Sequence, residues 1–186
     1  MTQVLIVYCS TYGNTKKMAE SVKEGVSSVK GVTAVLKETD QVTKEDLLSA
    51  HAVICGSPVH MGCMDWRMKK FIDDVCSPLW MKDLLIGKIG AVFCTGSGYG
   101  GGGGGCEINL LGMMANLAEL GMILVPLPKN TPGYLKGGIH WGPYGRSAGP
   151  AMEQIGVDAD SLTCAFHHGA HVARLAAKIG NEKYFA

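Results

Sequence analysis

This sequence predicts a doubly wound α/β fold: a five-stranded parallel sheet in the order 2-1-3-4-5, with helices on both faces. Three observations predict it. Short apolar runs rich in β-branched residues alternate with segments of helical periodicity. The first run, Val4 to Tyr8, is apolar without alternation, as a strand buried on both faces must be. The most loop-like motifs follow the first, third and fourth runs, whose carboxyl ends border the ligand crevice in that order.

The elements follow in sequence. Residues 15–29 read as a helix, with Met18, Ala19, Val22 and Val26 on one face and Gly31 ending it. Val32 to Lys37 is a weaker, alternating second strand. Thr43 opens a short helix with Asp46 three residues on, close to a capping box. Ala52 to Cys55 is the third strand, stopped by Gly56, Ser57 and Pro58. Asp65 to Val75 is a helix, Ile89 to Cys94 the fourth strand, and Glu107 to Leu120 a helix bearing Leu110, Leu111, Met114 and Leu117. Met122 to Val125 is the fifth strand. Ser161 to Ile179 is the last helix, with Leu162, Ala165, Phe166, Val172, Ala173 and Ala176 as its apolar stripe. Two segments lack a regular pattern: Ser97 to Gly105, with the unbroken glycine run Gly100 to Gly105, and a Gly/Pro-rich excursion at about 129–150. The excursion is too long for an idle connection, and reads either as a mobile surface segment or as a lid or interface loop.

Composition bounds the function. The 186 residues make one domain, 1–186, large enough to bury a core without disulfides or a structural metal. With 17 basic and 16 acidic residues, no charge excess points to nucleic acid or an anionic membrane. No run approaches the roughly 20 apolar residues of a membrane span, and the N-terminus carries no leader pattern. A soluble, cytoplasmic protein is expected. The seven cysteines fit free thiols in a reducing compartment better than a disulfide framework.

The chemistry-bearing motifs sit in the three loops. Ser10-Thr11-Tyr12-Gly13-Asn14-Thr15 lies between a strand and a helix start. Its hydroxyls and the helix-terminal N–H groups can hold a phosphate without a cationic side chain. It is neither a dinucleotide fingerprint nor a Walker loop, since both glycine spacings are absent. The alternative is a polar turn with a helix cap. Gly56-Ser57-Pro58-Val59-His60-Met61-Gly62 can present backbone groups to a planar ring, or be an ordinary strand-ending turn. Thr95-Gly96-Ser97-Gly98-Tyr99 allows close approach of a ring or phosphate, or is a flexible low-complexity loop.

These residues carry a resemblance. The run from Val4 to Thr15 resembles the start of flavodoxin-like FMN proteins. Within these, the chain resembles the NAD(P)H:quinone oxidoreductases of the WrbA family. Residues 56–62 are similar to that family's Gly-Thr-Pro-Thr-Arg-Phe-Gly. Leu79-Trp80 before Gly87-Lys88, Thr95 to Gly98, Gly121-Met122 before Val125-Pro126, and Pro143-Tyr144-Gly145 with Ala148-Gly149 also match, in order.

The resemblance implies FMN as cofactor, NADH or NADPH as co-substrate, a quinone or other small acceptor, and a homo-oligomer, dimer or tetramer. It implies that Ser10, Thr11, Tyr12, Gly13, Asn14 and Thr15 hold the FMN phosphate. Pro58, Val59, His60, Met61 and Gly62 line the isoalloxazine, with Thr95, Gly96, Ser97, Gly98 and Tyr99 on its other side. Tyr12, His60 and Trp80 border the substrate or nicotinamide. The family's Arg-Phe pair is His60-Met61 here, and a family histidine donated across the subunit interface falls at Glu119.

The flavin carries the chemistry, so no obligatory acid or base is assigned. The rival reading is a flavodoxin-type electron carrier between protein partners; the near-neutral charge counts against its docking by acidic surfaces. A non-catalytic interaction protein on the same fold is the third reading. No metal is expected: His167 and His171 share a helix face but lack a third ligand, and Cys55, Cys63 and Cys76 are too widely spaced for an iron–sulfur cluster. Trp141 and Tyr144, in the excursion, are candidate oligomer contacts.

Overall fold

A computed structural model describes residues 1–98 and 103–179. The strands are β1 (Thr2–Tyr8), β2 (Val32–Glu38), β3 (Ala52–His60), β4 (Cys63–Met64), β5 (Ile89–Gly96), β6 (Ile123–Leu124), β7 (Gly138–Ile139) and β8 (Gly142–Arg146). The helices are α1 (Asn14–Ser27), α2 (Lys44–Ser49), α3 (Trp66–Phe71), α4 (Ser77–Trp80), α5 (Cys106–Glu119), α6 (Tyr134–Gly137) and α7 (Ala159–Ile179).

The sheet runs β2-β1-β3-β5-β8-β7, with β6 also on β5 and β4 on β3. The core strands are parallel, with Val4 opposite both Ala34 and Ala52, and Ala52 opposite Ile89. The expected order therefore holds, but with eight strands rather than five. The difference lies mainly at the fifth position. Only Ile123 and Leu124 of the expected fifth strand pair, beside Ile89 and Gly90. The chain then leaves the sheet and returns as β8, placing Tyr144, Gly145 and Arg146 beside Cys94, Thr95 and Gly96. Pro126 and Pro128 explain the exit, because neither can donate to a ladder. Two short antiparallel pairs, β3 with β4 and β7 with β8, complete the count.

Alternation along the strands divides the core. Val4, Ile6, Tyr8, Ile54 and Phe93 face α1 and α7; Leu5, Val7, Val53, Cys55 and Val92 face the side of α2, α3 and α5. The capping box at Thr43 and Asp46 forms as expected. The helix from Asp65 does not stop at Val75 but widens into a π turn over Ile72–Cys76 and continues as α4. Pro78 has no N–H to give to the turn before it, which accounts for the loosened ladder. Trp141 and Tyr144 are partly buried and pack against the core on the α5 side. All seven cysteines are free, and six are buried. Among the described residues no helix is long and apolar enough to cross a membrane.

Candidate functional site

The carboxyl ends of β1, β3 and β5 meet at one cleft of about 340 Å³. Ser10, Thr11, Tyr12, Asn14 and Thr15 line it from the first loop, Pro58, Val59 and His60 from the second, and Thr95, Gly96 and Ser97 from the third. Parallel pairing explains the convergence, since it brings all three strand ends to the same edge.

The first loop is shaped for an anion. Gly13 precedes α1 with φ +82, a left-handed conformation that favours glycine, and no side-chain cap closes the helix start. No acidic residue stands in the first turn of α1. The exposed N–H groups and the positive end of the helix dipole therefore meet no competing carboxylate there. Ser10 Oγ accepts from the Lys16 amide at 3.3 Å. The Thr15 and Thr95 hydroxyls share a buried hydrogen bond of 2.7 Å, tying the first loop to the third. This hydroxyl and amide donor set suits a phosphate monoester such as that of FMN.

The second loop is held by the helix side of the sheet. Asn109 on α5 donates to the Ser57 carbonyl at 3.2 Å, and Ser57 Oγ accepts from the Asp65 amide at 2.9 Å. Asp65 is fully buried. Its Oδ1 accepts from the Arg67 amide at 2.8 Å and from Nε at 3.0 Å, and its Oδ2 from Nη2 at 2.6 Å. His60 Nδ1 lies 2.9 Å from the same Oδ2. Burial pushes the Asp65 carboxyl up, but the hydrogen bonds and charge of Arg67, with His60 beside it, outweigh this and hold it below the usual carboxylate range. Arg67 Nη2 also donates to Thr11 Oγ1 at 2.6 Å. One buried carboxylate thus links His60 of the second loop, through Arg67, to Thr11 of the first.

Other expected site residues stand elsewhere. Met61 and Gly62 form the two-residue turn between β3 and β4, with φ +49 and +80, the positive pair that a tight hairpin requires. This turn carries the Met61 side chain fully into solvent, outside the cleft lining. Gly98, at φ +67, packs beside the Arg146 side chain. Tyr99 lies outside the described residues. Trp80 is outside the cleft; with Glu119, Ile72 and Asn116 it lines a separate groove of about 210 Å³. His167 is partly exposed and set edge-on to Phe166, while His168 is fully buried.

Sequence reasoning missed one wall of the cleft. Ser147, Ala148, Met152 and Gln154 line it from the segment after β8. Ser147 is pinned there because its amide and hydroxyl both donate to the Gly96 carbonyl, at 2.9 and 3.2 Å. The Pro143-Tyr144-Gly145 motif was the available signal, since it is the strand that delivers this wall. A larger cavity of about 410 Å³, lined by Cys9, Glu38, Trp66, Arg67 and Phe71 among others, contains none of the expected site residues. The smaller cleft is the better candidate, because three strand-end loops and the uncapped start of α1 converge there.

The flavodoxin domain family matches residues 5–97, the half of the chain that carries the first two loops and most of the third. The NAD(P)H dehydrogenase (quinone) of Syntrophobacter fumaroxidans is 34% identical over 95% of this chain and 98% of its own length. This chain belongs to the flavodoxin-like NAD(P)H dehydrogenase (quinone) family. The quinone dehydrogenase of Gluconacetobacter diazotrophicus is 33% identical over 96% of this chain and 99% of its own. A flavodoxin of Aquifex aeolicus is 43% identical, but the match spans only 64% of each chain. A flavodoxin, WrbA-like protein of Agrobacterium tumefaciens superposes with a TM-score of 0.70 at 25% identity, covering 96% of this chain and 99% of that one. The quinone dehydrogenases match nearly the whole chain, the Aquifex flavodoxin about two thirds of it.

Proposed function

We propose that this chain is an FMN-dependent NAD(P)H:quinone oxidoreductase that reduces quinones by two electrons. The arrival of three strand-end loops at one cleft, beside an uncapped helix start, carries the reading. The near-full-length likeness to quinone dehydrogenases supports it. Bound FMN supplies the hydride chemistry, from NADH or NADPH to quinone. The chain binds and orients. Ser10 to Thr15 would hold the phosphate, Pro58, Val59 and His60 with Thr95, Gly96 and Ser97 would flank the ring, and Tyr12 and His60 would border the substrate. We read residues 1–186 as one FMN-binding domain, in the cytoplasm, where its seven thiols stay reduced.

We further read the protein as a homo-oligomer, dimer or tetramer, in which Trp80 borders the neighbouring copy's cleft. Trp80, Met81, Leu84 and Ile86 form a run of exposed apolar side chains at α4 and just beyond it. Leu84→Glu adds charge at a site already 43% exposed, so the fold tolerates it. Light scattering on a sizing column should show the wild type as an oligomer and the variant one step smaller. A monomeric wild type would remove Trp80 from the site.

The activity is tested by loading the protein with FMN and adding NADH or NADPH without oxygen. Complete bleaching in one phase, with no long-wavelength band building up, is the expected result. The likeness to the Aquifex flavodoxin keeps a second reading, a one-electron carrier between proteins. Failure of both nicotinamides to bleach the flavin would favour that carrier, and failure to take up FMN would overturn both.

A further inference from the structure

We propose that His60 is the proton-donating residue for quinone reduction, and that the buried Asp65 is the residue that positions it. The inference rests on the quinone reductase reading and extends it to a group that carries chemistry of its own.

The geometry dictates which nitrogen is free. Asp65 is fully buried and accepts three hydrogen bonds from Arg67, so it is an anion held in one place. His60 Nδ1 stands 2.9 Å from Asp65 Oδ2, so the buried carboxylate favours the form of the ring that carries its hydrogen at Nδ1. Nε2, on the opposite edge of the ring, is left for the cleft that His60 lines. The imidazole side chain is 39% exposed, so the ring is anchored at one edge and wet at the other. Neutral His60 presents a lone pair at Nε2, and protonated His60 presents an N–H. The same nitrogen can give a proton to a bound acceptor and recover one from water.

The step balances. A quinone becomes a hydroquinone by gaining a hydride equivalent, supplied by the flavin that NAD(P)H has reduced, and one proton. The Nε2–H bond breaks as the new O–H bond forms on the acceptor oxygen. The imidazole is left neutral, with its Nδ1–H still facing Asp65, and is reprotonated by solvent. An arginine or a neutral amide in this place could donate a hydrogen bond but could not release its proton near neutral pH. The charged and titratable groups around His60 are Asp65 and Arg67 at the start of α3, Cys63 paired with it across the hairpin, and Tyr12 lining the same cleft. Of these, Asp65 is the carboxylate and the group in direct contact.

Two measurements test this. The first needs neither FMN nor turnover: nitrogen NMR of the histidines in the cofactor-free protein. The expected result is a His60 imidazole protonated at Nδ1 when neutral, with that preference lost in Asp65→Asn. A neutral His60 protonated at Nε2 overturns the proposal. The second is rapid mixing of the reduced FMN-loaded protein with a benzoquinone and, separately, with ferricyanide, which takes electrons without a proton. In His60→Gln and His60→Arg the quinone rate should fall relative to the ferricyanide rate by ~100-fold or more. The wild type's solvent isotope effect on the quinone reaction should vanish with it. An unchanged ratio in both variants overturns the proposal while leaving the quinone reductase reading intact. A wild type that neither nicotinamide reduces overturns that reading and the proposal together. The exposed position of His60 keeps both variants folded, and Asp65→Asn, if it unfolds, is replaced by Arg67→Gln, which should weaken the same Nδ1 preference.

Discussion

Replacing Gly25 with alanine lowers the thermal midpoint by roughly 5 °C, a loss of about 2 kcal/mol. The sign is decided by two opposed effects. Alanine in a helix interior is favoured over glycine by about 1 kcal/mol. Against this, a Cβ on Gly25 would stand 1.9 Å from the Phe166 carbonyl oxygen and 2.8 Å from its carbon. Those atoms are backbone of α7 and cannot rotate aside. The reciprocal position is equally tight, with a Cβ on Gly169 falling 2.3 Å from the Val22 carbonyl oxygen. Helices α1 and α7 therefore touch backbone to backbone, and a methyl group must push them apart. That separation would loosen Val22, Val26, Ala165 and Val172, all buried in the same core. Calorimetry on Gly25→Ala, Gly169→Ala and the double variant checks it. The double variant should lose less than the sum, because one methyl already opens the crossing. A midpoint unchanged or raised in Gly25→Ala would mean that helix propensity wins and the close crossing is absent.

The second large effect is acid sensitivity from His168. Its side chain is fully buried, and neither ring nitrogen has a hydrogen-bond partner among the described residues. Burial, with a smaller contribution from the nearby His171, pushes it down to about 3. The folded protein thus holds the ring neutral at a pH where the unfolded chain, with its ordinary value of about 6.5, binds a proton. The unfolded state binds more protons throughout that window, so stability falls as pH falls from about 6.5 toward 3, and is fully kept above it. The expected loss by about pH 4 is on the order of 3 kcal/mol. Urea melts of the wild type and His168→Leu between pH 4 and 7 measure it. The leucine variant should be flat from pH 7 down to about pH 5, and at least as stable at pH 7, since two unpaired buried nitrogens are removed. Its remaining acid loss should begin as pH falls into the ordinary carboxylate range, where the unfolded chain protonates Asp46 and Asp65 while the folded protein still holds them ionised. An identical slope in both proteins would move the titration to another group.

Much of the fold was legible because its signals are local. The unbroken apolar run of β1, the helical spacing of Met18, Val22 and Val26, and the Thr43 capping box depend only on neighbours in the chain. Strand order followed from the alternation of elements, and that order alone predicted where the Ser10, Pro58 and Thr95 loops would meet. Local pattern failed where distant residues compete. The fifth strand looked continuous from Met122 to Val125, yet β8 takes its place farther along the same edge of β5. Met61 seemed placed to face the ring, until hairpin geometry turned it into solvent. Trp80 fell in a different groove from the loops it was grouped with.

By itself, then, the sequence determined the layered α/β architecture, the hydroxyl-rich start of α1 and the three loops that build the cleft. All of these follow from periodicity and from the donors that each segment carries. Only the tertiary structure decided the tie between His60, Asp65 and Arg67, the wall from Ser147 to Gln154, and the backbone crossing at Gly25 and Gly169. Each of these depends on which atoms come within about 3 Å of one another across the fold, and burial then sets their charge and hydrogen-bond state.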